Sequence, residues 1–172
     1  MASVIHASID ERGSARGGEA GDQSGKEVCL ASFNPNRGWN KVLRCTDQKI
    51  AKKMIKKGKK LCSSNLVGYD QNQRNTLHSQ LVACAYSISA YIRTGVKTET
   101  DCSAFMTAIA LAAGVTGLEY PTSGNAPTTR TMVDAFTKTG LFQAIPYTTG
   151  MTLYPSDILV KEGSHTAMYI GE

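Results

Sequence analysis

The stretch "TDCSAFMTAIALAAG", Thr100 to Gly114, decides how the chain reads. From Ala104 to Ala113 it has almost no polar face, and a helix that is apolar all round is buried on most sides. Thr100 or Asp101 can cap its start, and Gly114 can end it in a left-handed turn. The pattern predicts a central helix over about 101–113. Cys102 stands in its first turn. The N-terminus of a helix carries about half a positive charge, which favours thiolate over thiol and lowers the thiol pKa. The unpaired N–H groups of that turn can also receive an oxyanion. Cys102 is therefore placed to be a nucleophile. Cys29, Cys45, Cys62 and Cys84 have no such setting and read as small buried hydrophobes.

A nucleophilic thiol needs a base, and His165 is the candidate. "DILVK" and "HTAMYIG" flank "EGS", which suits a C-terminal hairpin over about 157–171. His165 opens the second strand of that hairpin. By alternation it shares a face with Ala167 and Tyr169, opposite Thr166, Met168 and Ile170. A cysteine on a helix and a histidine on a strand follow the general logic of papain-like catalysis. His78, isolated in a helical pattern, reads as structural. Asp157 reads as structural too, at the start of a strand.

Upstream, residues 13–25, "GSARGGEAGDQSG", form a glycine-rich loop, and "EVCLASF" reads as a short strand. A basic helix is expected over about 48–61. Six of its seven lysines (49, 52, 53, 56, 57 and 60) fall on one helical face. The stretch "GYDQNQRNTLHSQLVACAYSISAYI" reads as one further helix, capped by Asp70. "PTSGNAPTTRTMVDAFTKTG" reads as a polar loop, followed by a short helix over about 128–138.

At 172 residues the chain suits one domain, 1–172, with a real core. The net charge is +5, and without the seven lysines of the basic helix it is −2. That stripe is either a solvated surface or an attractor for a polyanion. No C-x-x-C pair occurs, so a zinc site is not expected, and no metal or cofactor is called for. The longest uncharged apolar run, Ala104 to Val115, is shorter than the roughly 20 residues that span a bilayer. The N-terminus lacks the apolar core of a signal peptide.

"TDCSAF", "PSDILV" and "GSHTAMYIG", in that order, resemble the motifs of the NlpC/P60 cysteine peptidases and the related CHAP amidases. With "GGEAGDQSGKEV", "YDQNQRN" and "GNAPTT", the likeness extends to catalytic domains of phage and prophage endolysins, from about Ser8 to Gly171. The resemblance implies an α+β, papain-like fold with helices on a small antiparallel sheet. It implies a cysteine-dependent peptidoglycan hydrolase, an amidase or endopeptidase, with Cys102 as nucleophile and His165 as general base. Bacterial peptidoglycan and anionic wall polymers are the implied partners, with no nucleic acid. Synthesis in a host cytoplasm, release by a holin-type route and a separate wall-binding module are also implied.

Such enzymes have a third polar group that orients the imidazole, usually on a strand about a dozen residues after the histidine. Here the sequence ends seven residues after His165. The glycine-rich loop offers Asp22 to orient His165 and Gln23 to donate to an oxyanion or a substrate amide. Asp22 can equally make a turn bond to its own backbone. Two rival readings stand: a cysteine amidohydrolase or acyltransferase on another substrate, and a non-catalytic polyanion-binding module.

Overall fold

A computed structural model describes residues 1–118 and 124–171. Among these residues eight strands and five helices follow one another: β1 (Ser3–Ala7), β2 (Val28–Ser32), β3 (Lys41–Cys45), α1 (Gln48–Cys62), β4 (Val67–Tyr69), α2 (Thr76–Ala83), α3 (Ile88–Thr94), β5 (Thr98–Thr100), α4 (Cys102–Ala113), α5 (Met132–Lys138), β6 (Phe142–Pro146), β7 (Ile158–Lys161) and β8 (His165–Gly171). Six strands form an antiparallel sheet in the order β2-β1-β8-β7-β3-β6. β4 and β5 form a separate parallel pair. The fold is α+β.

Each face of the large sheet has its own apolar layer. Ile5, Leu43, Ile158, Met168 and Ile170 pack on one side with Met54 and Leu61 of α1 and Phe105, Met106 and Ile109 of α4. Val4, Trp39, Val42, Leu159 and Ala167 pack on the other. α4 is the central helix: eleven of its twelve residues are buried, and Gly114 ends it at φ 101°. α1 crosses it at Gly58, where an added Cβ would lie 3.0 Å from Ile5 and 3.1 Å from Ile109. The glycine, costly within a helix, permits that close approach. The lysines of α1 face outward, and Asp47 caps the helix by accepting from Lys49 and Ile50 N–H at 2.8 and 3.0 Å.

The single helix expected after Tyr69 is two. Ala85 and Tyr86 take φ of 50° and 58°, which interrupts the helical path between α2 and α3. Asp70 caps neither helix. It follows β4 and accepts from Asn72 N–H at 2.7 Å, and Asn75 holds the cap position of α2. The short helix expected from Thr128 begins at Met132, after a turn in which Met132 N–H donates to Thr128 O at 2.8 Å. The first residues of the polar loop before it, Pro121 to Ser123, lie outside the described residues.

Candidate active site

The N-terminus of α4 is fixed by a nearly buried ion pair. Asp101 caps the helix, accepting from Ala104 N–H at 2.8 Å. Its carboxylate also takes Arg74 Nε at 2.6 Å and Arg74 Nη2 at 3.2 Å. The same guanidinium donates to Ser103 Oγ at 2.9 Å and to the carbonyls of Ala126 and Pro127 at 2.7 and 3.0 Å. The two side chains are only 11% and 12% exposed. A planar fork with five donors suits this task, because it can satisfy a carboxylate and several carbonyls together.

Cys102 is the first residue of α4, and its residue is 6% exposed. The backbone N–H groups of Thr166 and Ser103 lie close enough to its sulfur to favour the thiolate. The Thr166 contact places the thiol at the start of β8, one peptide from His165. The β1–β8 register pairs Ile5 with Met168 and goes no further toward His165. The Thr166 N–H therefore has no β1 partner in that register, and it lies near the Cys102 sulfur. The expected lowering of the Cys102 pKa does not occur. Burial and the neighbouring Asp101 carboxylate outweigh the two N–H donors and push the thiol up to about 11.

His165 opens β8 and is 7% exposed. Its ring belongs to the sheet face away from α4, with Trp39 at 5.9 Å and His6 at 5.9 Å between ring centroids. The His6 ring meets it edge-on, at 86°. His165 Nε2 is buried without a hydrogen-bond partner. Burial and the positive Arg37 and His6 groups push the imidazole down to about 3, and burial with Arg37 pushes His6 down to about 4. Near neutral pH all three groups (the thiol and both rings) are uncharged. Among the described residues, Cys102 and His165 make no hydrogen bond to each other.

No motif marks His6 in the sequence. It sits on β1, beside β8 in the sheet, and its Nε2 lies 3.6 Å from Cys29 Sγ on β2. The signal was present in "SVIHA": alternation puts His6 on the same face as Val4, opposite Ile5 and Ala7. A polar residue on a half-buried strand is worth noticing.

Asp22 and Gln23 lie in the N-terminal loop, engaged with their own surroundings. The Asp22 carboxylate accepts from Ser24, Gly25, Lys26, Glu27 and Val28 N–H at 2.6 to 3.2 Å. It holds the turn into β2 and makes no bond to His165. The Gln23 side chain donates to Ala20 and Gly21 carbonyls at 2.9 and 3.2 Å. Glu27 ties this loop to the core by accepting Gln23 N–H at 2.7 Å and Tyr69 N–H at 3.0 Å. The Tyr69 hydroxyl, raised to about 12 by burial and by the nearby Cys102, takes a bond from Gln71 Nε2 at 3.2 Å. Asp157 is buried, and pairs through both oxygens with Arg44 at 2.9 and 2.7 Å.

Among the described residues no cluster of three or more His, Cys, Asp or Glu side chains has the geometry to hold a metal, and no helix is long and apolar enough to cross a membrane. The family model for the endolysin-like domain matches residues 4–172, nearly the whole chain, and the chain belongs to that family. Neither the curated proteins nor the solved structures give a match. Membership supports a lytic role at the cell wall, with peptidoglycan as the fitting substrate.

Proposed function

We propose that this endolysin-like domain hydrolyses an amide bond of peptidoglycan by thiol catalysis, on a papain-like fold of the NlpC/P60 kind. Cys102 is the nucleophile, His165 the general base and acid, and His6 the group that orients His165. One observation carries the reading: the nearness of the Thr166 N–H to the Cys102 sulfur, which sets a helix-end thiol close to the start of β8, where His165 stands. Catalytic hydrogen bonds are often long before substrate arrives.

The raised thiol and lowered imidazole favour attack from a neutral pair over a resting ion pair. As the Cys102 sulfur bonds to the carbonyl carbon, its proton passes to His165. Negative charge develops on the carbonyl oxygen, where α4's first-turn N–H groups stabilise it. The C–N bond breaks, the amine leaves with the proton from His165, and an acyl thioester remains on Cys102. Water then gives a proton to His165 as its oxygen attacks the thioester. Acid is released, and the proton returns to the sulfur. Arg74 and Asp101 take no proton; they hold the helix end on which the oxyanion forms.

The test is to quench the protein with acid during turnover of purified peptidoglycan fragments and map its peptides by mass. An acyl adduct on the Cys102 peptide, with one new amine per bond cut, is expected. Undiminished amine release by Cys102→Ala would overturn the reading.

A further inference from the structure

A polar groove lies at the far end of α4. It is lined by Lys53, Lys56, Lys57 and Lys60 of α1, by Ser87 and Ser89 around the start of α3, and by Ala112 to Gly114 at the end of α4, and encloses about 470 Å³. No carboxylate lines it, and among the described residues none of these lysines is ion-paired. Lys60 Nζ donates to Ser89 Oγ at 2.6 Å and Lys57 Nζ to Tyr86 O at 3.3 Å. Those bonds hold two ammonium groups along the groove. Lys57 is also half-buried, and its pKa is lowered by burial and by the charges of Lys53, Lys60 and Lys56. The repulsion among them is uncompensated within the chain.

We infer that this lysine groove is a docking site for a flexible phosphodiester-linked wall polymer, separate from the site at Cys102. Charge complementarity selects a polyanion: four ammonium groups span about 10 Å of helix axis and face no acid. The groove's shape favours a single thin chain over a nucleic-acid duplex, because the lysines sit in a concavity bounded by α3 and the end of α4. A bilayer surface is disfavoured because the apolar residues of α1 (Met54, Leu61 and Cys62) are buried, leaving the exposed face nothing to insert between lipids. The end of α4 at the groove is about 17 Å from Cys102 along the helix. A polymer held there keeps the domain on the wall without occupying the bond-cutting end. The inference rests on the wall as the place of action and not on the identity of the nucleophile.

The experiment measures binding of the whole chain to a poly(glycerol phosphate) chain by calorimetry over a range of salt, with no turnover involved. Lys53→Gln, Lys56→Gln, Lys57→Gln and Lys60→Gln together should weaken binding at least tenfold. They should also make the slope of log K against log salt shallower by about 3, near 0.7 per phosphate neutralised on a single flexible chain. The control, with the same loss of charge, is Lys26→Gln, Lys41→Gln, Lys97→Gln and Lys138→Gln; it should change binding less than threefold. The corresponding four Lys→Arg changes should keep the affinity, so a loss in the Gln variant cannot be put down to misfolding. Equal weakening by the control would reduce the effect to net charge and overturn the site. So would unchanged binding in the Gln variant, or tighter binding to anionic lipid vesicles or to DNA than to the polymer. Loss of amidase activity in Cys102→Ala with polymer binding intact would separate the two proposals.

Discussion

The sheet brings two cysteine–histidine neighbourhoods close together, and they differ in an instructive way. Cys29 and His6 are in contact, at 3.6 Å, on paired strands at the edge of the sheet. Cys102 and His165 are not hydrogen-bonded, but the Cys102 sulfur lies at the start of a buried helix, where two backbone N–H groups favour its thiolate. Cys29 has no helix end behind it, and its sulfur donates to the Lys26 carbonyl at 3.4 Å, an acceptor that offers nothing to a thiolate. Contact between sulfur and imidazole is therefore the weaker criterion for a nucleophile. What counts is a set of fixed donors where negative charge will form, because these need no reorganisation during reaction. By that criterion Cys102 leads, and His6, for all its contact with Cys29, is better placed to serve His165.

The largest expected effect tests that ranking directly. Cys102→Ala should abolish wall lysis, measured as loss of turbidity of purified walls, while Cys29→Ala should stay within about twofold of the parent chain. Lysis surviving in the first and lost in the second would invert the comparison and make Cys29–His6 the chemical pair.

Next in size is the support under Cys102. Removing one partner of a buried ion pair leaves the other charge stranded, at a cost of about 3–5 kcal/mol. The Arg74–Asp101 pair is nearly buried, so Arg74→Met should destabilise the fold by about 3 kcal/mol in urea unfolding. It should also lower turnover in the fraction that remains folded. Arg12→Met, at a pair whose arginine is 52% exposed, should cost far less, because solvent screens that pair. Similar costs for the two would mean that the helix end does not depend on Arg74.

The elements legible in the sequence were those with a long or strongly punctuated pattern. The apolar run after Asp101, the lysine face of α1 and the hairpin around "EGS" each carried a period and a stop signal, and each occupies its expected place. β1, β3 and β6 went unread because five residues such as "KVLRC" hold too few repeats to establish a period. The break between α2 and α3 rests on two non-glycine residues with positive φ, for which no composition signal exists. The candidate site was half legible. Cys102 and His165 stand in recognisable motifs, but the neighbour of His165 comes from the other end of the chain. Only the strand order, β1 beside β8, brings His6 to it.

A third, smaller effect separates the histidines by pH. Both rings are lowered in the folded state, His165 to about 3 and His6 to about 4, from an ordinary value of 6.5. Their contribution to stability is whole above pH 6.5. It is lost as pH falls through about 4 and then 3, because the unfolded chain takes up protons that the buried rings refuse. Each such proton is worth about 1.4 kcal/mol per pH unit. His6→Gln should therefore make the fall in unfolding free energy between pH 6 and pH 4.5 shallower by about 1 kcal/mol per unit. If His6 also orients His165, the same variant should narrow the acidic limb of the pH–rate profile. A change in stability slope with an untouched rate profile would leave His6 a packing residue and nothing more.

The smallest effect concerns the resting thiols, and it distinguishes a neutral Cys102–His165 pair from a preformed thiolate–imidazolium pair. Alkylation proceeds through the thiolate, so its rate follows the ionised fraction and access. With Cys102 raised to about 11, from an ordinary 9, its ionised fraction at pH 8 is about a hundredfold below that of an unperturbed thiol. Burial and the Asp22 charge raise the Cys29 thiol as well, but Cys29 is half-buried on an edge strand, whereas Cys102 is only 6% exposed. In the substrate-free protein, iodoacetamide followed by peptide mapping should therefore label Cys29 before Cys102, and His165→Ala should leave the slow Cys102 rate nearly unchanged. Substrate that completes the contact between imidazole and sulfur would alter the order only during turnover. Should Cys102 instead react first near neutral pH, and slow on removal of His165, the pair is ionised at rest. Attack would then begin from a thiolate already formed, and the two neighbourhoods would differ in charge as well as in geometry.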